Sequence, residues 1–223
     1  MKPSPRIFTG SMLPVLTAAL LATATQSSSA ATMVSNLGNA DAGVLGVRFL
    51  DPSGVIRAVT FTTGATATQL DSVTLDMQVA SVTGGGFGVS IYSYSVTGPS
   101  SLLASLSGSS NPATAGAYTY TDGSSLTLAA NTTYFVVASV PQTSPDKSYS
   151  WFRTDDPTET SSSGWSIGNR SWYRENGGSS WTQLDFDATG QMSIQASAIP
   201  EPGVMLPLPV LLASGLLLRW RRK

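Results

Sequence analysis

From Val34 to Ala198 the apolar residues return at every second position, and this alternation constrains the fold more than any other feature of the chain. In Gln69–Val79, Val73, Leu75, Met77 and Val79 alternate with Ser72, Thr74, Asp76 and Gln78. That is the pattern of a strand with one face on a core. Phe87–Val96 repeats it, with Phe87, Val89 and Ile91 on one face and Tyr92, Tyr94 and Val96 on the other. Gly84-Gly85-Gly86 supplies the turn between the two. Tyr134–Val140 is the most apolar stretch, with Val136 and Val137 near its middle, and suits a central position. Shorter strands are predicted at Val44–Phe49, Ala58–Thr62, Leu102–Leu106, Tyr118–Thr121, Leu126–Leu128, Tyr149–Arg153, Trp165–Ile167, Trp181–Phe186 and Gln191–Ala196. Turn signals such as Gly98-Pro99 and Asp122-Gly123 separate them. No helical stripe of apolar residues competes, so the expected fold is all-β, an antiparallel jelly-roll-like β-sandwich. One domain is expected, with the turn at Thr97–Ser101 and the loop at Asp155–Ser163 as its mobile places.

Composition narrows the chemistry. Charged residues make up 11% of the 223, against a usual share of about 25%. Between Thr32 and Ile199 six basic residues stand against twelve acidic ones, a balance of −6. Such a body repels phosphate backbones, so no nucleic acid partner is expected. There is no cysteine and no histidine, which removes disulfides, thiolate chemistry, zinc-thiolate sites and the commonest general base. No Gly-x-Ser-x-Gly elbow is present. The chain reads as non-enzymatic, with no catalytic residue, metal or cofactor expected.

The N-terminus has a basic start (Lys2, Arg6), a short apolar run (Met12–Ala24) and small-residue exits at Ala22-Thr23-Ala24 and Ser28-Ser29-Ala30. This is a secretory signal peptide, too short for a stable membrane span, with cleavage after Ala24 or after Ala30. It implies the Sec translocon and a signal peptidase as partners. The expected division is residues 1–30 as signal peptide, 31–199 as the sandwich and 200–223 as a sorting and anchoring segment.

The last 24 residues carry Pro200-Glu201-Pro202, an apolar run from Val204 to Leu218, and the basic end Arg219-Trp220-Arg221-Arg222-Lys223. Fifteen helical residues span roughly 22 Å, short of a bilayer core of about 30 Å. Arg219, Arg221, Arg222 and Lys223 would stay cytoplasmic as the membrane stop and leave the body outside. In order, spacing and position this tail resembles the PEP-CTERM sorting signal of Gram-negative bacteria, departing from it in having Pro207 and Pro209 inside the apolar run. The resemblance implies a transmembrane helix held transiently in the inner membrane and processing by an exosortase. It also implies a cell-surface or extracellular location in a biofilm rich in exopolysaccharide.

The body resembles the choice-of-anchor R type of surface domain. The stretches that carry the likeness are Phe61-Thr62-Thr63-Gly64, Leu70–Leu75, Val89-Ser90-Ile91-Tyr92-Ser93, Gly98–Ala104, Leu126–Tyr134, Gly164-Trp165-Ser166 and Trp181. The resemblance implies a jelly-roll-like sandwich and carries no catalytic residues.

Two sets of residues remain as candidate sites. Tyr149, Trp151, Trp165, Trp172, Tyr173 and Trp181 crowd the late part of the body. Trp151, Trp165 and Trp181 read as core, where large rings bury most area. Trp172 and Tyr173, flanked by Arg170 and Arg174, must point to opposite faces of an extended strand. One of them is expected to be exposed and to offer a glycan-binding platform for extracellular polysaccharide. The second set is acidic: Asp185 with Asp187, and Asp155, Asp156 and Glu159 in one loop. These offer oxygens for Ca²⁺ or an acid/base pair for glycoside hydrolysis, and read first as solvated surface acids.

Overall fold

A period-two sequence can satisfy its backbone only by pairing strands, and the pairing here is entirely antiparallel within the named strands. The structure, a computed structural model, describes residues 29–50, 53–143, 145–175, 178–185 and 187–199. Of the expected signal peptide, residues 1–28 lie outside them, as does the expected sorting segment with Pro200, Glu201, Pro202, Arg219, Arg221, Arg222 and Lys223. Among the described residues there is no helix, and thus none long and apolar enough to cross a membrane.

The strands in chain order are β1 (Ala31–Ser35), β2 (Gly43–Leu50), β3 (Ser53–Thr62), β4 (Thr68–Val82) and β5 (Gly88–Ser95). There follow β6 (Gly98–Leu106), β7 (Gly116–Thr121), β8 (Thr127–Leu128), β9 (Thr133–Ser139) and β10 (Lys147–Thr154). The last are β11 (Thr160–Ser161), β12 (Ser166–Glu175), β13 (Thr182–Gln183), β14 (Thr189–Gly190) and β15 (Met192–Ala198).

Two long strands serve two neighbours along one edge and so bend the sheet onto itself. In β4, Leu75 pairs with Met192 of β15 on one side and with Tyr118 of β7 on the other. Further along the β15 edge, Met77 pairs instead with Trp151 of β10. In β3, Val55 pairs with Arg48 of β2 and Glu175 of β12, and beyond it Arg57 pairs with Ala138 of β9. The resulting path is β11-β1-β15-β4-β10-β2-β3-β9-β5-β6, with β2 and β10 as the corner that joins two layers.

The core confirms the folding-over. Val59 and Phe61 of β3, Val89 and Ile91 of β5 and Val136 of β9 share one buried cluster with Val73, Leu75 and Met77 of β4 and Ile194 of β15. The arrangement is all-β and sandwich-like. Trp151 is wholly buried, and its Nε1 donates to the Gln191 carbonyl at 2.8 Å, so the ring brings no unpaired donor inside. Tyr149, also buried, accepts from Gly85 N–H at 2.9 Å and donates to Asn111 Oδ1 at 2.7 Å. That phenol pins the triple-glycine turn between β4 and β5.

The strand reading differs from the structure at several places: of Trp181–Phe186 only Thr182–Gln183 is strand among the described residues, and β1 is not among the predicted strands. Val79 is 61% exposed although the alternation puts it in the core. The ladder between β4 and β10 is irregular there: Gln78 faces Ser150, while Val82 faces Ser148, so the phase of β4 slips. The stretch around Trp165–Ile167 grows into the ten-residue β12, because it finds β3 as a partner along most of its length. Gly98 and Pro99, expected in a mobile turn, are buried and begin β6.

Candidate functional site

Strand β9 carries apolar side chains on both faces, and this creates a second, outward cluster. Tyr134, Val136 and Ala138 point into the sandwich; Phe135 and Val137 point out, beside Ile56 and Ala58 of β3. An apolar outer face must be covered, and Trp172, Tyr92 and Trp181 cover it. Trp172 sits on β12 opposite Ala58 and is only 9% exposed. Its ring meets Phe135 edge-to-face, with centroids 5.8 Å apart and planes at 88°. Phe135 in turn stacks on Tyr94 of β5 at 5.5 Å and 12°. Tyr94 is the outermost ring of this series and is 45% exposed.

Trp181 closes the cluster from the other side. The Arg174 guanidinium lies 5.0 Å from its ring centroid, a cation–π contact. Gly98, at φ +115°, lies against the same side chain: a Cβ there would come within 2.5 Å of Trp181 Cβ. Only glycine lets the start of β6 rest on this tryptophan. Tyr94 reaches the outer cluster through Phe135, and Trp181 packs against the same cluster.

Trp172 and Tyr173 do point to opposite faces, as an extended strand requires, but neither is exposed. Trp172 is the buried base of the ring series. Tyr173 is half-buried, with the Arg57 guanidinium 5.4 Å from its centroid. Burial, then the nearby Arg48, lowers the Arg57 pKa; Arg57 Nε donates to the Gly46 carbonyl at 3.0 Å. Of the tryptophans read as core, Trp151 and Trp165 are buried and Trp181 is partly so. Among the described residues the exposed ring is Tyr94, which the alternation of β5 places on the outer face and which the clustering of late aromatics overlooks.

The acidic residues meet at a different place. A cleft of about 290 Å³ is lined by Thr154, Asp155, Asp156, Asn169, Asp187 and Thr189, among others. Asp187 pairs with Arg170 Nε at 3.2 Å, both side chains being about half exposed or more, so the pair contributes little stability. Asp156 Oδ1 accepts from Thr158 N–H at 2.9 Å, which holds that carboxyl below its ordinary range. Glu159 Oε2 accepts from Ile167 N–H at 2.8 Å. Asn39 Nδ2 donates to the Thr158 carbonyl at 2.7 Å and ties the loop to the chain after β1. Asp185 is exposed and does not line the cleft. Asp156 and Glu159 thus shape a loop. Among the described residues no three His, Cys, Asp or Glu side chains gather as a metal site would require.

No protein-family model matches the chain, and no curated protein is similar to it.

Proposed function

We propose that this chain is an exported surface protein with a structural or adhesive role in an exopolysaccharide matrix. The observation that carries the reading is the tail: Pro200-Glu201-Pro202, the apolar run Val204–Leu218 and the basic end Arg219–Lys223, behind a body preceded by a secretory leader. In this reading the Sec translocon exports the chain and a signal peptidase removes the leader. The C-terminal helix holds the body outside the inner membrane until an exosortase processes the tail. A jelly-roll-like body of the choice-of-anchor R type is the cargo. Its few charges suit a role in contact rather than in turnover.

Co-expression with and without an exosortase, followed by mass spectrometry of the C-terminus, tests this. The expected result is loss of the residues after Pro202 only when the enzyme is present. A tail that stays intact beside an exosortase active on a control substrate overturns it. The outer ring cluster favours a second reading, a carbohydrate-binding module in which Trp172 is a buried support rather than, with Tyr173, the exposed platform.

A further inference from the structure

We propose that the cleft beside the β12 bulge and the β10–β11 loop is a binding site for an amino sugar, whose ammonium is held by Asp155, Asp187 and Thr189. The site lies apart from the outer ring cluster and stands whether or not the tail is processed.

A break in a ladder builds the cleft. Ile167 of β12 faces Phe61 of β3 and Ser171 faces Val59, so Gly168, Asn169 and Arg170 stand opposite Thr60 alone. A strand with surplus residues bows outward and re-aims its side chains. Gly168 permits this, because a Cβ there would collide with Thr60 Oγ1. Past the bulge, Ser171 Oγ donates to the Ala188 carbonyl at 2.8 Å in a buried bond, and Arg170 bridges to Ala188. Asn169 is thereby fixed in the lining, together with Asp155 and Asp156 of the loop and with Asp187, Ala188 and Thr189.

Thr189 supplies the observation that asks for a ligand. It lines the cleft at 7% exposure, and its Oγ1 has no hydrogen-bond partner. Its ladder neighbour Thr154 differs, since Thr154 Oγ1 accepts from Asp156 N–H at 3.1 Å. A buried hydroxyl is ordinarily paired, and one left over points to a group from outside the chain. A smaller recess with Glu159 in its wall shares Asp156, Asn169 and Thr189 with the cleft, so Thr189 lies where the two meet.

Charge and size then select the ligand. Three carboxylates line the cleft, and Arg170 answers only Asp187, in a pair open to water. The surplus attracts a cation. Oxygens at ~2.3–2.6 Å around a bare metal ion enclose far less than the cleft's volume of about 290 Å³, and among the described residues no three carboxylates gather that closely. Acceptors spread over such a volume suit an organic cation. Asp156 Oδ1 is engaged by Thr158 N–H, which leaves Asp155 and the second oxygen of Asp187 as the acceptors on offer. An ammonium brings three donors and no acceptor. The Asn169 amide and the Arg170 guanidinium are donors in turn, and hydroxyl oxygens answer them. An amino sugar carries both kinds of group on adjacent carbons.

Saturation-transfer NMR and calorimetry on the full chain, in micelles of a polyoxyethylene detergent, test this. The probes are glucosamine, glucose, N-acetylglucosamine, cyclohexylamine and Ca²⁺, each alone. Glucosamine should bind, while glucose and N-acetylglucosamine, which lack the charge, should not. Cyclohexylamine lacks the hydroxyls and should bind about fivefold more weakly. Asp155→Asn and Asp187→Asn should each weaken glucosamine about tenfold, the effect of one charge-assisted hydrogen bond. Thr189→Val keeps the shape without the hydroxyl and should cost about fivefold. Asp185→Asn, at an exposed acid outside the cleft, should leave binding unchanged. Thermal melts establish that each variant is folded. Absence of glucosamine binding by the wild type overturns the proposal. So does equal binding of cyclohexylamine, or undiminished binding in folded Asp155→Asn and Asp187→Asn. An equal fall in Asp185→Asn also overturns it, as diffuse attraction to an acidic body. Ca²⁺ binding that Asp187→Asn removes would make the cleft a metal site and overturn it as well.

Discussion

Single residues decide how closely the layers of this protein approach. Gly190 is the sharpest case: a Cβ built there would stand 2.4 Å from Cε2 and 2.5 Å from Cζ2 of the buried Trp151 ring. Trp151 cannot withdraw without breaking its bond to the Gln191 carbonyl. Gly190→Ala should therefore cost about 1–3 kcal/mol through overpacking. Urea melts should show a lower midpoint at unchanged slope. That Trp151 would be core was legible from its place in an alternating stretch. That Gly190 would be its floor was not, because the two lie in different strands and nothing in local pattern links them. Tyr94 escaped for a related reason. Its face was readable, but its partner Phe135 comes from β9, and only the partner makes the ring a fixed surface.

At the scale of elements, alternation reveals strands and conceals their neighbours. β5, β9 and β10 are visible in the sequence, yet the pairing of β12 with β3 joins segments far apart in the chain. Irregular ladders are equally hidden, as Val79 shows, because a slip in phase depends on the partner strand. Turns are more open to reading. Asp122-Gly123 after β7 is a turn signal, and in the fold Asp122 accepts from Ser124 N–H at 2.9 Å, from Ser124 Oγ at 2.6 Å and from Leu126 N–H. Burial alone would raise its pKa; these hydrogen bonds outweigh that and lower it. A carboxyl with a lowered folded pKa stabilises fully above the unfolded value of about 3.9 and loses that contribution as pH falls through the folded value. Asp122→Asn should thus be less stable than wild type at pH 7, with the gap closing below about pH 4. Urea melts across that range check it, and a gap that stays constant with pH would contradict the role of the charge.

Over the whole molecule, the first and last strands lie side by side. β1 pairs with β15, with Ala31 opposite Ala196 and Val34 opposite Ile194. The core depends on both, since Val34, Met192 and Ile194 are wholly buried. Asn36, just past β1, adds a buried clasp: its Oδ1 accepts from Met192 N–H at 2.7 Å and its Nδ2 donates to the Gly190 carbonyl. Contacts of this span close late and make such folds slow to form. The sandwich-like class was legible in the sequence as many short alternating strands. This closure was not, because it joins the two ends of the body.

That adjacency has a use of its own. Ladder partners stand about 5 Å apart, so the body is topologically a ring with a small gap, and where a ribosome starts reading it is arbitrary. A circular permutant joined from Ala198 to Ala31 by a short glycine linker, and opened at exposed Thr66 between β3 and β4, should still melt in one cooperative transition. A flat, non-cooperative melt would show that native chain order matters. If the ring holds, the body can be spliced into a surface loop of a host protein and held there by both ends at one point, like a bead on a doubled thread.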